Sequence, residues 1–149
     1  MPDELVLRLS NLPGDKSWRV VQWLVDRGAD EFTLACISGR SEDAFFCRQA
    51  DQALSSYVVT GDPGSDRLTR GHAWRLDERS LRVLKTLLPE GVLTDRQGTK
   101  GGWLEDLTIY QEGRPRLASV THEHYARLTL RPNEYQELRE LGLVDQSDG

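Results

Sequence analysis

The sequence predicts an α+β fold, a mixed sheet with helices on one side, in the order β-α-β-α-β-α-β-β-α, closing with a β-hairpin followed by a helix. Three observations predict it. Short strand-forming runs alternate with stretches of helical apolar spacing along residues 5–88. Two long strand-like runs, residues 103–110 and 116–130, flank Glu112-Gly113 at a hairpin position. Finally, 149 residues with 38% apolar content suffice for one core without metal or disulfides.

Each element has a local reason. Residues 4–9 are rich in strand formers, and Pro13-Gly14 punctuates the run after them. Asp15 or Ser17 is expected to cap a helix with Trp18, Val20, Val21, Trp23, Leu24 and Val25 on a wide apolar face, ended by Gly28. Residues 31–37 form a short apolar run suited to a buried strand. Ser41 with Glu42 and Asp43 opens a second helix, whose inward face holds Phe46, Cys47, Ala50, Ala53 and Leu54. Residues 56–60 then read as a strand, and the breaker cluster of residues 61–66 opens a loop to about Trp74. Asp77 caps a third helix with Leu81, Leu84 and Leu88 in one stripe, stopped by Pro89-Glu90-Gly91, after which Gly98, Gly101 and Gly102 make a flexible connection. After the hairpin, Pro132 starts a helix with Tyr135, Leu138 and Leu141 inward, and Gly142-Leu143 has the form of a Schellman stop. The chain is read as a single domain over residues 1–149, with a candidate subdomain boundary in the loop 61–74 and a frayed tail at 145–149.

Composition excludes several classes. Apolar runs are only a few residues long, far short of the ~20 that cross a bilayer, so no membrane partner is expected. The start Met1-Pro2-Asp3-Glu4 is acidic where a signal peptide is basic, which points to a cytoplasmic protein. Cys36 and Cys47 lack CxxC spacing and read as small hydrophobes. Residues 98–102 reverse the Lys-Thr order of a phosphate loop and lead into a strand, so Lys100 is at most a contact. No nucleophile elbow, zinc-protease helix or dinucleotide fingerprint occurs. The sequence sets no oligomeric state.

The hairpin supplies one site. A two-residue turn at Glu112-Gly113 pairs Gln111 with Arg114, and the same register sets Leu107 opposite Ala118, Glu105 opposite Val120 and Trp103 opposite His122. Glu105, His122 and His124 then share one end of the apolar sheet face. A carboxylate with a His-x-His strand is a candidate catalytic or divalent-metal set, the basis for an alternative reading as a metal-assisted hydrolase or lyase, with Asp106 or His72 as a further ligand or base. Otherwise no cofactor is expected. The simpler reading, which the sequence favours over metal binding, is that these residues are solvated or hydrogen-bonded side chains. Trp103, with Tyr110 and Tyr125 on the opposite face, gives the aromatic and polar mixture of a binding surface.

Charge supplies the other. The chain carries −5 overall, yet residues 67–100 hold eight basic and four acidic residues. Arg75, Arg79, Arg82 and Lys85 recur every three or four residues beside the leucine stripe, with Arg67, Arg70 and His72 upstream. A solvated face paired with Asp77 and Glu78 accounts for such a row; nucleic-acid contact through residues 67–100 is a second alternative. The leading expectation is a small acidic binding or regulatory protein, such as an adaptor, an inhibitor or an immunity-like protein, that recognises another protein and is not an enzyme.

Overall fold

The computed structural model describes residues 4–10, 12–38, 58–60, 73–92, 96–97, 102–120 and 123–145. The strands are β1 (Leu5–Leu9), β2 (Glu31–Ser38), β3 (Val58–Thr60), β4 (Ala73–Arg75), β5 (Arg96–Gln97), β6 (Gly102–Gln111), β7 (Arg114–Val120) and β8 (Tyr125–Leu130). The described helices are α1 (Gly14–Asp26), α2 (Glu78–Leu87) and α3 (Pro132–Glu140). The helix expected from Ser41, the glycines at 98 and 101, and the tail from 146 lie outside the described residues.

The architecture is α+β, but the sheet is not mixed. Its order is β1-β8-β7-β6-β2-β4-β3, with β5 against one end of β6, and every described pairing is antiparallel. β1 and β2 do run parallel, as a strand–helix–strand opening requires. The C-terminal strands β8, β7 and β6 insert between them, so the parallel pair never touches. That insertion is a long-range choice that local patterning does not encode.

One sheet face carries the core. Leu7 and Leu9, Ala126, Leu128 and Leu130, Leu117, Leu107 and Ile109, Phe32 and Leu34, and Trp74 are all at most 5% exposed. They form a single cluster with Trp18, Val21 and Leu24 of α1, Leu81 and Leu84 of α2, and Leu138 of α3. All three described helices thus pack on the same face, and residues on both sides of the stretch 61–74 share that core. Trp74 belongs to a strand and not to a loop: it pairs with Phe32 and Val58 in the ladder and stacks on Phe32 at 5.5 Å between centroids.

Local chemistry sets the helix ends. α1 begins after Pro13 without a side-chain cap, so neither Asp15 nor Ser17 caps it. Ser17 is instead buried, donating to the Leu12 carbonyl at 2.9 Å and accepting from the Val92 N–H at 3.2 Å. At its other end Ala29 N–H reaches Leu24 O and Gly28 N–H reaches Val25 O, with Gly28 at φ +107°, the two bonds of a Schellman motif. The same pair of bonds ends α3, from Leu143 to Leu138 and from Gly142 to Arg139. Leu141, expected to face inward on α3, is 46% exposed, while Leu143 beyond the stop is buried. Asp77 does cap α2, accepting from the N–H groups of Arg79 and Ser80 at 3.0 and 2.9 Å.

The long run of residues 116–130 is two strands, broken before Tyr125 by Glu123 and by His124 at φ +57°. Glu112 and Gly113, both at positive φ, make the expected two-residue turn, and Gln111 pairs with Arg114. The register then shifts. Tyr110 pairs with Pro115 but Ile109 with Leu117, so Arg116 is an extra residue and Thr108, not Leu107, faces Ala118. Leu117 and Ser119 therefore fill the core face, and Ala118 and Val120 lie on the other. A second bulge lies in β6, where Asp106 at φ +56° falls between the Thr33–Thr108 and Ala35–Glu105 pairs.

Candidate functional site

The extra residue at Arg116 shifts the hairpin pairing from which the Glu105, His122 and His124 constellation is read, and that pairing is described only as far as Thr108 with Ala118. On its β2 side Glu105 pairs with Ala35 and Trp103 with Ile37, and on the other side of β6 Trp103 pairs with Gln97 of β5. His124 is exposed in the turn before β8, outside any strand. His122, His72 and Lys100 lie outside the described residues, as do the side chains of Trp103 and Glu105. Among the described residues no three His, Cys, Asp or Glu side chains converge as a metal set.

Tyr110 and Tyr125 do share the sheet face opposite the described helices. Tyr110 is half-buried there, flanked by buried Ile109. Tyr125 is only 7% exposed, with the Arg8 guanidinium 3.9 Å from its ring centroid and Arg127 at 5.8 Å. It is held by cation–π contacts and serves the sheet more than a partner.

The basic row is built by α2. Leu81, Leu84 and Leu87 turn inward, which fixes the opposite side of the helix outward. Arg79, Arg82 and Lys85 are all exposed there at three-residue intervals, about 4.5 Å of axial rise each, and Arg75 is exposed just before the helix. The neighbouring acids are committed elsewhere. Asp77 is occupied by the cap, and the Ser80 backbone N–H, ahead of the other cap bonds and nearby Arg75, holds its carboxyl below the usual range against a desolvation cost. Glu78 accepts from Gln22 of α1 at 2.8 Å. Arg75 approaches Asp77 at 3.6 Å, and among the described residues no ion pair involves Arg79, Arg82 or Lys85. Among the described residues Asp77 forms an ion pair with Arg75, and Glu78 forms none.

A further polar cluster had no role in the sequence reading. The bulged Arg116 donates Nε–H to the Thr129 carbonyl at 3.1 Å, Nη1–H to Gln111 at 2.6 Å and Nη2–H to both oxygens of Glu134 at 3.1 and 3.2 Å. Glu134 also accepts from the Arg131 N–H, closing the first turn of α3. Their side chains are 14% and 11% exposed. They floor a small cleft of about 100 Å³ rimmed by Glu4, Arg114, Glu112 and Arg131. With Arg114 paired to Glu4 at 2.7 Å, this is a hydrogen-bonded clamp between sheet and helix. Glu at the third helical position after Pro132 was its one legible signal.

No known protein family matches the chain, and neither a curated protein nor a solved structure is significantly similar to it. Among the described residues no helix is long and apolar enough to cross a membrane.

Proposed function

We propose that this is a binding or regulatory protein that acts through protein–protein recognition, with the outward face of α2 meeting an acidic patch on its partner. The observation that carries the reading is the row Arg79, Arg82 and Lys85, solvent-facing and without an ion-pair partner among the described residues. Arg75 extends the row, and Tyr110 on the sheet offers a second, weaker contact. A row of this kind steers an acidic partner and sets orientation more than it adds raw affinity. It would also meet phosphates, but a chain of net charge −5 repels a polyanion over the rest of its surface, which favours a protein partner with a local acidic patch.

The test compares wild type with the Arg79→Glu/Arg82→Glu chain as bait in nuclease-treated extract, with folding checked by circular dichroism. A discrete protein retained by wild type and lost by the variant supports the reading. Retention that nuclease abolishes assigns the face to nucleic acid, and identical capture by both baits contradicts it.

A further inference from the structure

β1 ends the sheet among the described residues, and it carries neither a bulge nor a proline to disrupt pairing along its open edge. All five of its residues hold an unbroken register with β8, from Leu5 opposite Leu130 to Leu9 opposite Ala126. On the face away from the described helices its Val6 and Arg8 continue a row begun by Glu4, the residue before the strand, and Val6 is 59% exposed. Within one chain Glu4 pairs with Arg114 and Arg8 lies over the Tyr125 ring, both at exposed positions from which they can exchange to a partner across the edge.

We propose that β1 is a self-association edge, where two copies pair β1 with β1 antiparallel about a twofold axis at Val6 and so extend one sheet through both molecules. The sequence of the strand selects this register. Antiparallel pairing centred on Val6 sets Glu4 opposite Arg8 of the second copy at both ends, and Val6 against Val6 between them. On the core face it sets half-buried Leu5 against Leu7. Centring on Arg8 opposes two arginines, and centring on Leu7 sets Val6 against Arg8. A parallel pairing opposes Glu4 to Glu4 and Arg8 to Arg8, and slips between these registers oppose core-facing to outward residues. The twofold axis stands perpendicular to the sheet, so the helices of both copies stay on one side and do not obstruct the join.

Sedimentation equilibrium of the full chain from about 10 μM to 1 mM tests the proposal, because an edge of five residues falls in the small, weak class of interface. A monomer–dimer equilibrium is expected within that range. Val6→Lys opposes two ammonium groups at the axis and should weaken the dimer roughly tenfold or more, as should Arg8→Glu, while Glu4→Arg/Arg8→Glu should restore it to within about threefold of wild type. Because Val6 is exposed, Val6→Lys should leave the monomer fold intact by circular dichroism, so the test does not depend on Arg8→Glu folding. A chain monomeric to 1 mM overturns the proposal. So does a dimer indifferent to Val6→Lys, which places the contact on another surface.

Discussion

Asp77 and Glu134 show how single carboxylates are spent on the backbone. Replacing the cap by Asp77→Ala should cost about 1 kcal/mol, read as a lower denaturant midpoint with unchanged slope. The pH dependence has a definite sign. Because the folded Asp77 carboxyl sits below its ordinary value, the stability it contributes is fully present above about pH 4 and is lost as pH falls through its folded value. Asp77→Ala should therefore destabilise at neutral pH and converge with wild type in acid. Glu134→Ala leaves Arg116 in a mostly covered place without its carboxylate, and about 2–4 kcal/mol should be lost in urea unfolding. Glu137 is held low by Arg27 first, with Trp23 donating to it at 3.0 Å, and it lies too near solvent to contribute comparably.

At the scale of elements, the turn after α2 docks on the start of α1. Trp18 donates Nε1–H to the Leu88 carbonyl at 3.1 Å, and Gly91, at φ +110°, lies where a Cβ would sit 2.7 Å from Ser17 Oγ and 3.2 Å from the Leu12 carbonyl. Gly91→Ala should therefore destabilise by about 3 kcal/mol or more, through backbone strain and crowding together, with a matching loss of thermal midpoint. Elements of this kind were largely legible: α1, α2 and α3 follow apolar spacing and stop signals, and the Glu112-Gly113 turn appears as expected. What local pattern could not show is the bulge. Arg116 looks like an ordinary strand residue, yet one extra residue there turns Leu117 inward in place of Ala118. Because side chains alternate, that slip turns Leu117 and Ser119 to the core face and Ala118 and Val120 away from it. Three residues are too few for a periodic signal, so the sequence places Trp74 at the end of a loop, whereas its strand exists through pairing with Phe32.

For the whole molecule, the fold segregates its surfaces. The helix layer covers one sheet face and turns the Arg79, Arg82 and Lys85 row to solvent; the other face and the β1 edge carry Val6, Arg8, Tyr110 and Arg127. The row is visible in sequence, but the absence of an ion pair to it among the described residues is not, because that depends on Asp77 serving as a cap and on Gln22 reaching Glu78 from α1. Since the row and the edge are separate surfaces, Arg79→Glu/Arg82→Glu should leave the monomer–dimer equilibrium unchanged and the unfolding midpoint within about 0.5 kcal/mol of wild type, as for other surface substitutions. Hydrogen exchange of the chain with and without the protein captured in nuclease-treated extract is the most direct test of the central claim. Slowed exchange over residues 78–87, absent in the Arg79→Glu/Arg82→Glu chain, is the predicted result. Protection confined to other segments, with α2 exchanging as in the free chain, would contradict it.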